Sequence, residues 1–139
     1  MMAQKGPVVV GIDVAKNKVD ACVRALGLRQ TFANTAQGHR KLISLLRKHQ
    51  MKKAVMEASG GYERVWAKLL RQAGIEVRIV DPKRVRSFAV SAGRLAKNDA
   101  IDAEMIAWFA ETFSEAPGQT HDAAHEELQG TGEGALGSD

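Results

Sequence analysis

The sequence predicts an α/β fold built on a mixed sheet, in which a three-strand antiparallel meander is followed by parallel strands and flanked by helices. Three strand-like runs follow one another near the start of the chain with no helical period between them. After residue 34, short apolar runs alternate with amphipathic stretches of helical spacing. The 139 residues suffice for one domain with a single core.

From Gly6 the chain reads Pro-Val-Val-Val-Gly-Ile-Asp-Val-Ala, apolar on both faces, as a central strand covered on both sides must be. Lys18 to Ala25 alternates Val19, Ala21 and Val23 with Asp20, Cys22 and Arg24, which gives a second strand, and Leu28 to Ala33 returns as a third after a turn at Gly27. Asn34 or Thr35 caps a helix running to about His49, with Leu42, Ile43, Leu45 and Leu46 on its apolar side. Ala54 to Ala58 is a short buried strand. Beyond Gly60 and Gly61, residues Tyr62, Val65, Trp66, Leu69 and Leu70 recur at helical spacing, and Gly74 ends that helix. Ile75 to Val80 is a fifth strand, stopped by Asp81-Pro82. A short basic helix over Lys83 to Val90, a loop from Ser91 to Asn98 and a last helix from about Asp99 to Phe113 complete the expected domain, residues 1–113.

Composition narrows the function classes. A lone Cys22 forms no internal disulfide and is assigned to the core; the four histidines, His121 and His125 included, show no metal-ligand spacing, which argues against a structural zinc. No apolar run approaches the ~20 residues of a membrane helix, and Met1 to Pro7 lacks a signal-peptide stretch, so a soluble cytoplasmic protein is expected. All 20 Lys and Arg residues precede Ser114; residues 1–113 hold ten acids, a net charge of +10, whereas residues 114–139 hold six acids and no base. A compact domain that basic is a candidate polyanion binder, although a solvated basic surface explains the excess equally well. The acidic, glycine-rich stretch 114–139 has almost no large apolar residue and is expected to be disordered.

Four carboxylates stand where carboxylates are costly. Asp13 lies within the apolar first strand, where burial without a partner costs several kcal/mol; the alternatives are a metal ligand or a strand-end acid capping the turn at Lys16 and Asn17. Glu57 ends a buried strand at the kind of sheet edge where open α/β folds place their sites, or else interacts with the positive end of the following helix. On the last helix, Asp102 falls within the apolar arc of Met105, Ile106, Phe109 and Phe113, and Asp99 lies at its edge one turn above, while Glu104 and Glu111 face solvent. The alternative is that Asn98 or Asp99 caps the helix and Asp102 is a favourable first-turn acid, which leaves the burial of Asp102 unexplained. Two acids on strands and two on a helix suit a pair of hard divalent cations such as Mg²⁺ and hence phosphodiester chemistry.

Gly-Ile-Asp-Val-Ala-Lys (11–16), Met-Glu-Ala-Ser-Gly-Gly-Tyr-Glu (56–63), Asp-Pro-Lys-Arg-Val-Arg (81–86) and Gly-Arg-Leu-Ala-Lys-Asn-Asp-Ala-Ile-Asp-Ala (93–103) together resemble the DEDD transposases of the insertion-sequence-110 type, including the Piv/MooV-like DNA invertases. The resemblance covers roughly residues 8–115. It implies a ribonuclease H-like, RuvC-like fold in which Asp13, Glu57, Asp99 and Asp102 bind Mg²⁺ or Mn²⁺ as the catalytic tetrad. It also implies DNA transposition or site-specific recombination, a structured guide RNA encoded by the element, and assembly into homo-oligomers. In that family a C-terminal domain supplies a serine nucleophile. This stretch of sequence lacks that domain, and Asn98 stands where threonine is common. The rival expectations are a Holliday-junction-resolvase-like nuclease and a non-catalytic nucleic-acid-binding fragment. A sugar kinase or actin-like ATPase is weaker, since no second phosphate loop follows Gly-Ile-Asp.

Other residues invite secondary readings. Lys83, Arg84, Arg86, Arg94 and Lys97 lead into the acidic helix and either guide a nucleic-acid backbone or form a solvated face. Gly60-Gly61 ahead of a helix suits a phosphate but is more often only a turn. Trp66 and Trp108 are expected in the core rather than as base-stacking platforms.

Overall fold

The computed structural model describes residues 8–96 and 98–113; Lys97 and the tail expected to be disordered, 114–139, lie outside the described residues. Five strands, β1 (Val10–Val14), β2 (Lys18–Val23), β3 (Leu28–Ala33), β4 (Lys53–Glu57) and β5 (Glu76–Val80), form one sheet in the order β3-β2-β1-β4-β5. Strand β2 is antiparallel to β1 and β3, whereas β4 runs parallel to β1 and β5 parallel to β4. The expected mixed sheet is therefore present, and the meander supplies its antiparallel half.

Local chemistry sets the register. The Ala15 amide donates to the Lys18 carbonyl at 2.9 Å and closes the first turn, which pairs Gly11 with Cys22 and Asp13 with Asp20. Strand β2 stops at Val23, two residues short of the expectation, because Arg24–Leu26 coils into a single 3₁₀ turn ended by Gly27 at φ 63°. Of the two candidate caps for α1 (Ala36–Lys48), Thr35 is used: its hydroxyl accepts from the Gly38 amide at 3.0 Å. Asn34 instead ties the turn together, donating to the Lys16 carbonyl and facing His39.

Parallel pairing of β1, β4 and β5 requires crossovers, which α1 and α2 (Glu63–Gln72) provide. Both pack on one face, where Leu42, Leu46, Trp66 and Leu70 bury against Ile12, Met56 and Val77. Helices α3 (Pro82–Ser91) and α4 (Ala103–Phe113) belong to the opposite face, where Val85, Ala89, Ile106 and Phe109 meet Val9, Val55 and Val80. Each large side chain buried in this way contributes ~1.5–3 kcal/mol. Cys22 and Trp66 are buried as expected, whereas Trp108 is half-buried, its ring stacked edge-on against Phe88. No helix among the described residues is long and apolar enough to cross a membrane.

Helix α4 lies unusually close to the sheet. A Cβ on Gly11 would fall 2.5 Å from both the Ala103 carbonyl oxygen and the Ala107 nitrogen. On the helix side Ala103, Ala107 and Ala110 are fully buried, so small residues on both partners permit the approach. Arg24 fastens the same helix from outside, its guanidinium meeting the Glu111 carboxylate at 2.5 Å and Glu104 at 4.0 Å. Those two acids, expected to face solvent, are thus engaged at the rim.

Candidate metal-binding face

Asp13, next to last in β1, and Glu57, last in β4, stand on neighbouring parallel strands, each one position beyond the paired Ile12 and Met56. Strand alternation turns both carboxylates to the face carrying Gly11 and Val55, the face that α4 covers. Burial first, then the negative charges of Asp20 and Asp102, hold the Asp13 carboxyl above the ordinary carboxylate range against the opposing pull of Arg29 and Lys18. Burial and then the Asp13 charge push Glu57 up to about 7, against the pull of Arg86. Glu57 Oε1 is buried and has no hydrogen-bond partner among the described residues.

Asp102 reaches the same cluster from α4. Its Oδ1 accepts from the Met105 amide at 2.9 Å and its carbonyl accepts from the Ile106 amide at 3.1 Å, so Asp102 is the helix cap and the helix begins at Ala103. Its Oδ2 faces Arg29 Nη2 at 3.6 Å.

The helix start corrects the expectation for Asp99. With Asp102 as cap, Asp99 lies in the preceding loop, exposed, and not one turn above Asp102 on a shared helix face. Its Oδ2 accepts from the Ala96 amide at 3.1 Å and its carbonyl from Arg86 Nη1 at 2.8 Å. The structure thus sets Asp13 between two electrostatic neighbours, with Asp102 acting on Asp13 and Asp13 acting on Glu57, while Asp99 belongs to the exposed loop before the helix. Among the described residues, no group of three acids, cysteines or histidines is close enough to hold one ion in this arrangement. The donors nonetheless suit a hard cation, since they are carboxylate oxygens and one of them is buried without a partner.

The basic residues separate into distinct environments. Arg86, half-buried, donates to the carbonyl of the exposed Asp99 and pulls on Glu57. Arg94 lies over the Trp108 ring at 5.1 Å and Arg84 over Phe109 at 5.5 Å. Exposed Lys83 shares with Arg84 the rim of a groove floored by Phe88, Phe109 and Phe113. Lys97 lies outside the described residues.

Two participants escape a reading of the sequence. Asp20 looks like the polar half of an alternating strand; only the hairpin register sets it opposite Asp13. Glu63 is 7% exposed, and its Oε1 accepts from the Ser59 amide, the Ser59 hydroxyl and the Gly61 amide at 2.9–3.0 Å. The chain's own carboxylate therefore takes two of the turn amides that a phosphate at Gly60-Gly61 would use. Glu63→Ala is expected to cost ~1–3 kcal/mol, since three donors lose their acceptor, and urea melts followed by circular dichroism would measure it. A loss below about 0.5 kcal/mol would show that the turn holds itself.

Comparison with known proteins agrees with this architecture. The chain is 36% identical over 107 residues to the pilin gene-inverting protein of Moraxella bovis and 35% identical to that of Moraxella lacunata, in each case over 70% of this chain and 32% of the relative. It therefore spans about a third of the length of these curated relatives. Among solved structures, T. thermophilus RuvC in complex with a Holliday junction substrate superposes with a TM-score of 0.55 over 78% of this chain and 95% of RuvC, at 15% identity, which establishes the RuvC-like, ribonuclease H-like fold. The family model for DEDD transposases of the insertion-sequence-110 type, described as a transposase, matches residues 10–130. With that match running from the first strand past the last helix described, the chain belongs to the insertion-sequence-110 family of DEDD transposases.

Proposed function

We propose that Asp13, Glu57 and Asp102, joined by Asp99 from its loop, hold divalent cations, Mg²⁺ or Mn²⁺, against a DNA phosphodiester during transposition or inversion. The observation that carries this reading is the buried, partnerless Glu57 Oε1 beside a second, half-buried acid, Asp13. Such a pair is costly unless a cation compensates it. Bound cations supply polarisation of the phosphodiester and stabilisation of the charge on its attacking and leaving oxygens. Asp13 and Glu57 offer donors from the rigid sheet, Asp102 from the helix start and Asp99 from the loop.

Exposed Lys83, Arg84 and Arg94, with Lys97, are suited to the DNA backbone that leads to this face. The names of the Moraxella relatives support DNA rearrangement as the overall reaction. In this reading the nucleophile is the serine that the family resemblance assigns to a further domain. The guide RNA and self-association would belong to that complete assembly.

Calorimetric titration of Mn²⁺ into the chain tests this. Saturable binding is expected, lost in Asp13→Asn and Asp102→Asn variants that remain folded by circular dichroism. A folded parent that binds no Mn²⁺, even with DNA added, would sink the proposal.

A further inference from the structure

Strand β3 is an edge of the sheet, and Arg29 on it lies opposite Cys22 of β2, on the face that carries Asp13 and Asp20. Its guanidinium faces one particular atom. The two oxygens of Asp102 are divided: Oδ1 is committed to the Met105 amide at 2.9 Å, and Oδ2 faces Arg29 Nη2 at 3.6 Å. Because Oδ1 already accepts the capping hydrogen bond, Oδ2 is the more available oxygen for an ion bound by Asp102. That is the oxygen Arg29 occupies.

The pair is loose. At 3.6 Å it is an ion pair but too long for a good hydrogen bond, and both side chains are nearly half exposed, at 48% and 41%. Such a contact contributes little to stability, ~0–1 kcal/mol. Its position is nevertheless specific, because the Arg29 charge acts on Asp13 as well as on Asp102. Arg29 thus offsets repulsion between these two acids without filling either with strong hydrogen bonds.

We propose that Arg29 is a built-in counter-cation of the acidic face, competing with a divalent ion for Asp102 Oδ2 and displaced when that ion binds. This rests on the metal-binding reading above and adds to it the residue that sets metal affinity. A guanidinium released from Asp102 stays tethered to the sheet edge beside the site, where it is available to a phosphate oxygen. Metal loading and phosphate capture would then be coupled through one side chain.

Mn²⁺ titration of the parent, Arg29→Gln and Arg29→Lys, with far-UV circular dichroism as a check on folding, separates the possibilities. Arg29→Gln is expected to bind Mn²⁺ roughly three- to tenfold more tightly than the parent, because a competing positive charge has been removed. Arg29→Lys, which restores the charge, returns the affinity toward that of the parent. Binding to Arg29→Gln but not to the parent would be the strongest form of support. Equal or weaker binding by Arg29→Gln, or a Lys variant that behaves like the Gln variant, overturns the counter-cation role while leaving the metal site standing. Absence of binding in all three chains overturns the metal reading and this inference with it.

Discussion

Gly11→Val is expected to cost on the order of 3 kcal/mol or more and to lower the melting temperature by roughly 10–20 °C. At this position even the first added carbon would fall 2.5 Å from the Ala103 carbonyl oxygen and the Ala107 nitrogen, and 2.8 Å from the Ala107 Cα. All three are backbone atoms, so no rotamer change relieves the overlap. Relief requires α4 to lift from the sheet, which uncovers Val9 and Val55 and separates Ile106 and Phe109 from them. Gly11→Ala gives the milder case, at ~1–3 kcal/mol, and keeps the fold. It is the more informative for the site, because a lifted α4 carries Asp102 away from Asp13. Urea melts would give the stability, and Mn²⁺ titration of the folded Ala variant should show weakened binding; a variant with parental affinity would mean that Asp102 is not positioned through this contact.

The second large effect is a pH-dependent inversion of stability at Glu57. Its pKa in the folded chain is raised from 4.5 to about 7, so protonation favours the folded state. That contribution is fully present below about pH 4.5 and is lost as the pH rises through about 7. Glu57→Gln mimics the neutral acid at every pH. In the presence of a chelator, parent and variant should melt together near pH 4.5, whereas at pH 8 the variant should be the more stable by on the order of 1–2 kcal/mol, solvent screening allowed for. Saturating Mn²⁺ at pH 8 should reverse the order, because binding stabilises only the chain that retains its ligand, by ~2.7 kcal/mol at a hundredfold excess over Kd. A difference in melting temperature that does not change with pH would show that Glu57 ionises freely.

Much of this architecture is legible from residue patterns. Leu28 to Ala33 is found as a strand with the expected limits, Gly74 follows the second helix at φ 87°, and Asp81-Pro82 stops β5 while Asp81 caps α3. Asp13 and Glu57 are visible because a carboxylate in an apolar strand is an anomaly that alternation exposes. Asp99 is misplaced for an instructive reason. Residues 98–102 contain neither glycine nor proline, so helical periodicity extends smoothly through them, and only the side-chain cap by Asp102 shows where the helix begins. Asp20, Arg29 and Glu63 are ordinary polar residues in sequence. Their significance comes from hairpin register, an edge strand and a buried turn, which are relations between distant or folded segments rather than properties of a run of residues.

The close seat of α4 on Gly11 also has a consequence for how the protein is made. All five strands have been synthesised once the ribosome passes Val80, yet α4 is the last helix of the described chain and carries Asp102 at its start. Until it arrives, Gly11, Cys22 and Val55 form an open apolar floor with two repelling acids at its edge. A nascent chain can therefore assemble its strands early but completes the proposed ion-binding face only when residue 113 has cleared the exit tunnel. In the interval, the uncovered floor is the part of the molecule most in need of a chaperone.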